Sequence, residues 1–212
     1  MGVWGCVCCI VGSVMIVTHA PQEHTPNSVD EIWKLAMQPA NSDSNYYGTT
    51  KPVHLKEEKV TRLHFYLHDI LSGRNPSAVR IAHANLTGGA DSAVGFGSLF
   101  AMDDPLTVGP GKDSKEIGNG RGMYVSGSKD IRKFTIVMYA DLAFTTGKFN
   151  GSSISVFSRN PVAEEAGERE IGIVGGRGKF RMARGFVNIK THQIDMKTGD
   201  AVLRYDATVY HY

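Results

Sequence analysis

Asp69 stands in the run HFYLHDIL, residues 64–71, where a period of two places Phe65, Leu67, Asp69 and Leu71 on one face of a strand. A carboxylate among apolar side chains must be paired, neutralised or used, because an uncompensated buried charge is costly. If that face is the inner one, burial raises the Asp69 pKa above about 3.9 and makes the group a proton donor or acceptor. If it is the outer one, His64, Tyr66, His68 and Ile70 point inward instead. Arg169 is a second anomaly, since REIGIV alternates Arg169, Ile171 and Ile173 against Glu170, Gly172 and Val174. A guanidinium heading an apolar row can neutralise an interior carboxylate or hold a ligand oxygen, or it can snorkel to water from a strand end. Tyr124, in RGMYVSG, offers a phenol to the same interior or serves as a core aromatic with a satisfied hydroxyl. Asp103-Asp104-Pro105 reads differently, as turn chemistry ending the apolar run GFGSLFAM.

Side chains placed this way require strands to carry them. From Thr61 onward no stretch sustains a helical period, whereas alternating runs separated by Gly, Asn, Asp and Pro recur, so the fold class is all-β. Residues 133–144 put Phe134, Ile136, Met138, Ala140, Leu142 and Phe144 on one side, and residues 200–210 put Ala201, Leu203, Tyr205, Ala207 and Val209 on one side. Thr145-Thr146-Gly147 and Gly175-Gly176-Arg177-Gly178 read as tight hairpins, because glycine tolerates positive φ. Eight or nine strands result. A closed antiparallel barrel of about eight strands buries one face of each and leaves no open edge; a two-sheet sandwich satisfies the same periodicity.

Composition divides the 212 residues into three parts. Residues 1–20 read as a signal peptide cleaved after Ala20, with an uncharged apolar run from Val3 to Val17; the missing basic residue at the start leaves a short membrane anchor as the alternative. Residues 21–60, rich in Pro, Asn, Ser and charge, read as a flexible tail in which Ser28-Val-Asp-Glu31 resembles a capping box. The barrel domain is expected over 61–212. All three cysteines, Cys6, Cys8 and Cys9, fall in the signal, so thiolate metal sites, a cysteine nucleophile and disulfides are excluded beyond it. A net charge of +2 with mixed signs argues against a nucleic-acid partner, and no later segment is built to cross a bilayer. Scattered histidines argue against a metal site, and the absence of a phosphate loop, a dinucleotide fingerprint and a GxSxG elbow argues that no cofactor is bound. Asn85-Leu-Thr and Asn150-Gly-Ser are glycosylation acceptors in expected turns.

Ordered blocks then make a family resemblance visible. HFYLHDILSGRNPSAVRIA (64–82), FGSLFAMDDPLTVGP (96–110), GNGRGMYVSG (118–127), FNGSSISVFSRNPVAEEAGEREIGIVGGRGKFRMARGF (149–186) and the terminal DATVYHY resemble plant dirigent proteins. The resemblance implies an eight-stranded barrel of the allene-oxide-cyclase type, a homo-oligomer (trimer or dimer) and secretion to the apoplast. It also implies a phenolic substrate and no oxidising centre: a separate laccase or peroxidase supplies phenoxy radicals, and the barrel controls which faces couple. Asp69, Tyr124 and Arg169 match the family's site positions. Asn160, in SRNP, falls where lignan-forming members carry a second acid, and the cysteine pair of many such members is missing. Both departures point toward the branch with pterocarpan synthases, which expel water from an isoflavanol through a quinone methide. A carrier of apolar ligands without chemistry is a third reading. Asn160, Phe65 and Leu203 are expected to touch the substrate, with the loops 75–85 and 108–118 selecting it.

Overall fold

The computed structural model describes residues 56–84, 95–163 and 167–212, together with Ser28, Asp30, Gly48 and residues 50–52. The expected signal peptide, nearly all of the expected tail and the acceptor Asn85 lie outside the described residues. Nine strands follow one another: β1 (Lys59–Asp69), β2 (Ala78–Ala82), β3 (Leu99–Thr107), β4 (Glu116–Ser126), β5 (Ile136–Phe144), β6 (Ser152–Asn160), β7 (Arg169–Arg177), β8 (Arg184–Ile194) and β9 (Ala201–His211).

All neighbours pair antiparallel in the order β1-β9-β8-β7-β6-β5-β4-β3-β2, and β1 returns to β3. Along one edge of β3, β2 pairs the first half (Ala78 opposite Met102) and β1 the second (Leu67 opposite Leu106). β1 and β2 therefore share one wall position, and the result is a closed eight-stranded antiparallel barrel, not a sandwich. Closure follows from the alternation: Met138, Ala140, Leu142 and Phe144 of β5, and Ile171 and Ile173 of β7, all turn inward and are buried. The face of β1 that carries Phe65 and Leu67 is the inner one; His68 is buried too, but its Nε2 lies 2.8 Å from Thr107 Oγ1.

Two local expectations are corrected. Asp103, Asp104 and Pro105 lie within β3 and form no turn. Asp103 N–H donates to Ser77 C=O, so the Pro105 nitrogen, two residues on, faces the same gap between β2 and β1, where a missing N–H breaks no ladder bond. Gly175 to Arg177 finish β7, and the hairpin comes later, starting at Gly178 (φ 62). The β5–β6 hairpin does fall at Gly147 (φ 65), and Asn150 is exposed there.

One end of the barrel is filled by rings. Phe65 stacks on Tyr205 at 5.4 Å between centroids, Phe144 meets Phe65 edge-on, and Phe149 and Phe180 close the end at 4.8 Å from each other. β4 reaches this packing by approaching β5 so closely that a Cβ at Gly122 would lie 2.0 Å from the Tyr139 carbonyl oxygen. Gly122→Ala is therefore expected to cost about 1–3 kcal/mol of stability, typical of overpacking; a chemical-denaturation midpoint equal to that of the parent protein would contradict the close approach.

Candidate functional site

At the opposite end the barrel holds a cavity of about 590 Å³, within the range that buries a drug-sized organic molecule. Asp69, Tyr124 and Asn160 come from the ends of β1, β4 and β6, and Arg169 and Leu203 from the starts of β7 and β9. Antiparallel order brings these ends and starts to one rim. Most of the wall is apolar, with Leu71, Phe134, Ile136 and Leu203 among its side chains, so water is displaced readily and polar groups act in a low dielectric.

Arg169 is 3% exposed; its Nε donates to Asn160 Oδ1 at 2.8 Å and its Nη1 to Thr191 Oγ1 at 3.0 Å. Two neutral partners thus help to orient the guanidinium. Tyr124 stacks on Phe100 (4.9 Å, 14°), which aims its hydroxyl at Asp69 Oδ1 over a long 3.5 Å. Burial pushes the Asp69 carboxyl up to about 6, with the Asp200 charge adding to the shift and the Tyr124 hydroxyl opposing it. Burial, then the charges of Asp69 and Asp104, push the Tyr124 phenol up, so it remains a neutral donor. An acid poised near 6, a neutral O–H donor and a fixed cation can move a proton and steady a developing oxyanion. No cluster of three or more His, Cys, Asp or Glu side chains able to hold a metal occurs among the described residues.

Of the residues singled out in the sequence, Asp69, Tyr124, Asn160, Arg169 and Leu203 line the cavity. Phe65 does not: it is sealed in the aromatic end and lines no part of the cavity wall. Among the described residues, Ile131, Val162, Ala163, Ile194 and Met196 also line the cavity, and none of 75–84 or 108–118 does. The residue missed from sequence is Asp104, fully buried on the inner face of β3, with Oδ1 2.6 Å from Ser77 Oγ. Burial, and next the Asp69 charge, push its carboxyl up to about 8. The inward row Phe100, Met102, Asp104, Leu106 was present in the alternation; the Asp-Pro pair concealed it by mimicking a strand end.

A closed antiparallel barrel with an acid, a phenol and a guanidinium around one apolar cavity defines a class of small barrels that hold an organic ligand beside proton-transfer groups. The family model described as "Dirigent-like protein" matches residues 60–210, and the chain belongs to the dirigent family. Among its relatives, dirigent protein 15 of Arabidopsis thaliana is 79% identical over 178 residues, covering 84% of this chain and 94% of that one. Pterocarpan synthase 1 of Glycine max is 46% identical over 171 residues, covering 80% and 89%. The solved structure of the pterocarpan synthase dirigent protein GePTS1 superposes with a TM-score of 0.68 at 45% identity, covering 76% of this chain and 89% of that one. A magnesium transporter NIPA family model matches residues 1–42, too little of the chain to assign membership.

Asp69 and Asp104 both bind a proton more tightly in the fold than their ordinary value of 3.8. The folded state therefore carries excess protons from about 4 up to the folded pKa values, and stability contributed by these groups falls as pH rises through that window. Denaturation midpoints are expected to decline from about pH 4 to about pH 8, and less steeply in Asp69→Asn. A decline of the same steepness in that variant would remove Asp69 as a contributor.

Proposed function

We propose that the cavity binds a phenolic substrate and directs the stereochemistry of its phenoxy radical coupling, with radicals supplied by a separate laccase or peroxidase. The observation that carries this reading is the position of Asp69: an acid poised near 6 on an apolar wall, beside the neutral Tyr124 hydroxyl and the Arg169 cation. Two radicals held in one relative orientation couple through one pair of faces, and a difference of about 1.4 kcal/mol between orientations already gives a tenfold excess. Asp69 then delivers or removes the proton when the coupled quinone methide is closed or quenched. In the same reading the protein acts in the apoplast after export, with sugar on Asn85 and Asn150.

A second reading, dehydration of an isoflavanol, draws support from the likeness to solved pterocarpan synthases and from Asn160. Protonated Asp69 would donate to the leaving hydroxyl, the C–O bond would break with loss of water, and the phenolic proton would leave to give a quinone methide. A second phenol oxygen of the same molecule then closes the ring. One acid serves one leaving group, so an amide at 160 is tolerated. The two readings separate by oxidant: the lyase turns over an isoflavanol alone, whereas coupling needs laccase.

Chiral chromatography of products from a panel of phenols, with laccase present and the protein added or omitted, tests the first reading. Asp69→Asn keeps the shape of the side chain and loses the proton, so the enantiomeric excess is expected to collapse while ligand affinity persists. A product that turns racemic with the variant would sink the third reading, a carrier of apolar ligands, whereas an excess unchanged in the variant would remove Asp69 from the selective step.

Homo-oligomerisation is part of the same proposal. Met123, Tyr139 and Phe157 stand side by side across β4, β5 and β6 on the outer wall, and are 50%, 41% and 58% exposed. A contiguous apolar strip of this kind is what a self-association face requires. Phe157→Glu is expected to lower the mass measured by light scattering to that of one chain; an unaltered mass would move the interface elsewhere.

A further inference from the structure

Ser77, in the connection between β1 and β2, holds the chain on both sides of Asp69. Its hydroxyl accepts from Ile70 N–H at 2.9 Å and lies 3.1 Å from the His68 carbonyl oxygen and 2.6 Å from Asp104 Oδ1. Ser77 N–H and Ala78 N–H both donate to the Ile70 carbonyl, at 2.8 and 3.0 Å. The backbone neighbours of Asp69 thus depend on one hydroxyl, and that hydroxyl depends on Asp104.

A hydroxyl carries one proton and two lone pairs, so Ser77 cannot donate to His68 and to Asp104 at once. With a proton on Asp104, that acid donates to Ser77, Ser77 donates to His68, and Ile70 N–H keeps its acceptor, so all three bonds of the Ser77 hydroxyl are made. Without it, the Ser77 proton turns to the carboxylate and leaves the His68 carbonyl, while Ile70 N–H keeps the hydroxyl oxygen as acceptor. Asp104 Oδ2, buried with no hydrogen-bond partner among the described residues, then becomes part of a buried anion.

We propose that Ser77 and protonated Asp104 form a clamp that positions Asp69, and that loss of the Asp104 proton releases it. Asp104 is a positioning residue here, because it lies behind the cavity wall and does not line it. The groups that act on it are Asp69 from β1 and Asp103 along β3; Tyr124 from β4 and Tyr205 from β9 in turn feel its charge, and Arg169 of β7 acts on Tyr205. Burial raises both tyrosines, so neither ionises in the window that matters. Burial first, and then the charge of Asp69 beside it, raise the Asp104 carboxyl to about 8 and hold its proton.

The test combines a structural and a functional measurement on the full chain. The carbonyl carbon resonance of His68, which moves when its hydrogen bond is lost, is followed against pH beside that of the Asp104 carboxyl. The His68 signal is expected to shift as that carboxyl ionises, to hold its place across the same range in Asp104→Asn, whose amide still donates to Ser77, and to lie at its unbonded position at every pH in Ser77→Ala. Product stereoselectivity, which rests on the proposed function, is expected to drop on the alkaline side in the parent and not in Asp104→Asn. A His68 signal that ignores the Asp104 titration, or that is unaltered in Ser77→Ala, overturns the clamp. A signal that follows the titration supports it even if no phenol is ever coupled selectively, in which case the functional reading fails alone.

Discussion

Water is excluded from the inside of a closed barrel, and every polar side chain there must find a partner or give up its charge. That constraint governs the site. Closing eight strands leaves little more than the outer edge of the short β2 unpaired among the described strands and turns one face of each strand toward a common interior. Into this interior the chain places two carboxyls, a guanidinium and two phenols. Desolvation is the largest cause of the shift at both acids and both phenols, so burial sets the protonation states and the neighbouring charges divide the protons between them.

The two ends of the barrel meet the constraint in opposite ways. At one, Phe65, Phe144, Phe149, Phe180 and Tyr205 fill the space with rings in edge and stacked contacts. Packing there anchors the wall and requires almost no polar compensation. At the other, a largely apolar wall surrounds a cavity, and the polar groups are each tied to a strand end: Arg169 through Asn160 and Thr191, Asp69 through Tyr124 and the loop held by Ser77. A rigid filled end lets a hollow end keep its shape, which a ligand cavity needs if orientation is to be selective.

Asn160 shifts the electrostatic balance of this hollow end. A carboxylate in its place would bring a second charge to Arg169; the amide accepts the Nε hydrogen bond and brings none. In the proposed function, a substrate oxygen gaining charge would meet the guanidinium on one side and an acid poised near 6 on the other.

Alternation along HFYLHDIL, REIGIV and the last strand determined, from sequence alone, the all-β class and which residues share a face, and left open whether the face of Asp69 and of Arg169 is the inner one. Ordered motifs determined the family. Tertiary structure decided what those side chains meet. Asp104 looked like a turn residue because an Asp-Pro pair breaks most strands, and only the gap between β2 and β1 shows why Pro105 is harmless in β3. Phe65 shares a face with Asp69, yet four residues of rise carry it into the ring-filled end, away from the cavity. The pairing of Asp69 with Asp104, and the grip of Ser77 on both neighbours of Asp69, depend on β1 closing against β3. Periodicity reports which face of a single strand a residue occupies, whereas register between distant strands is set by packing of the whole barrel.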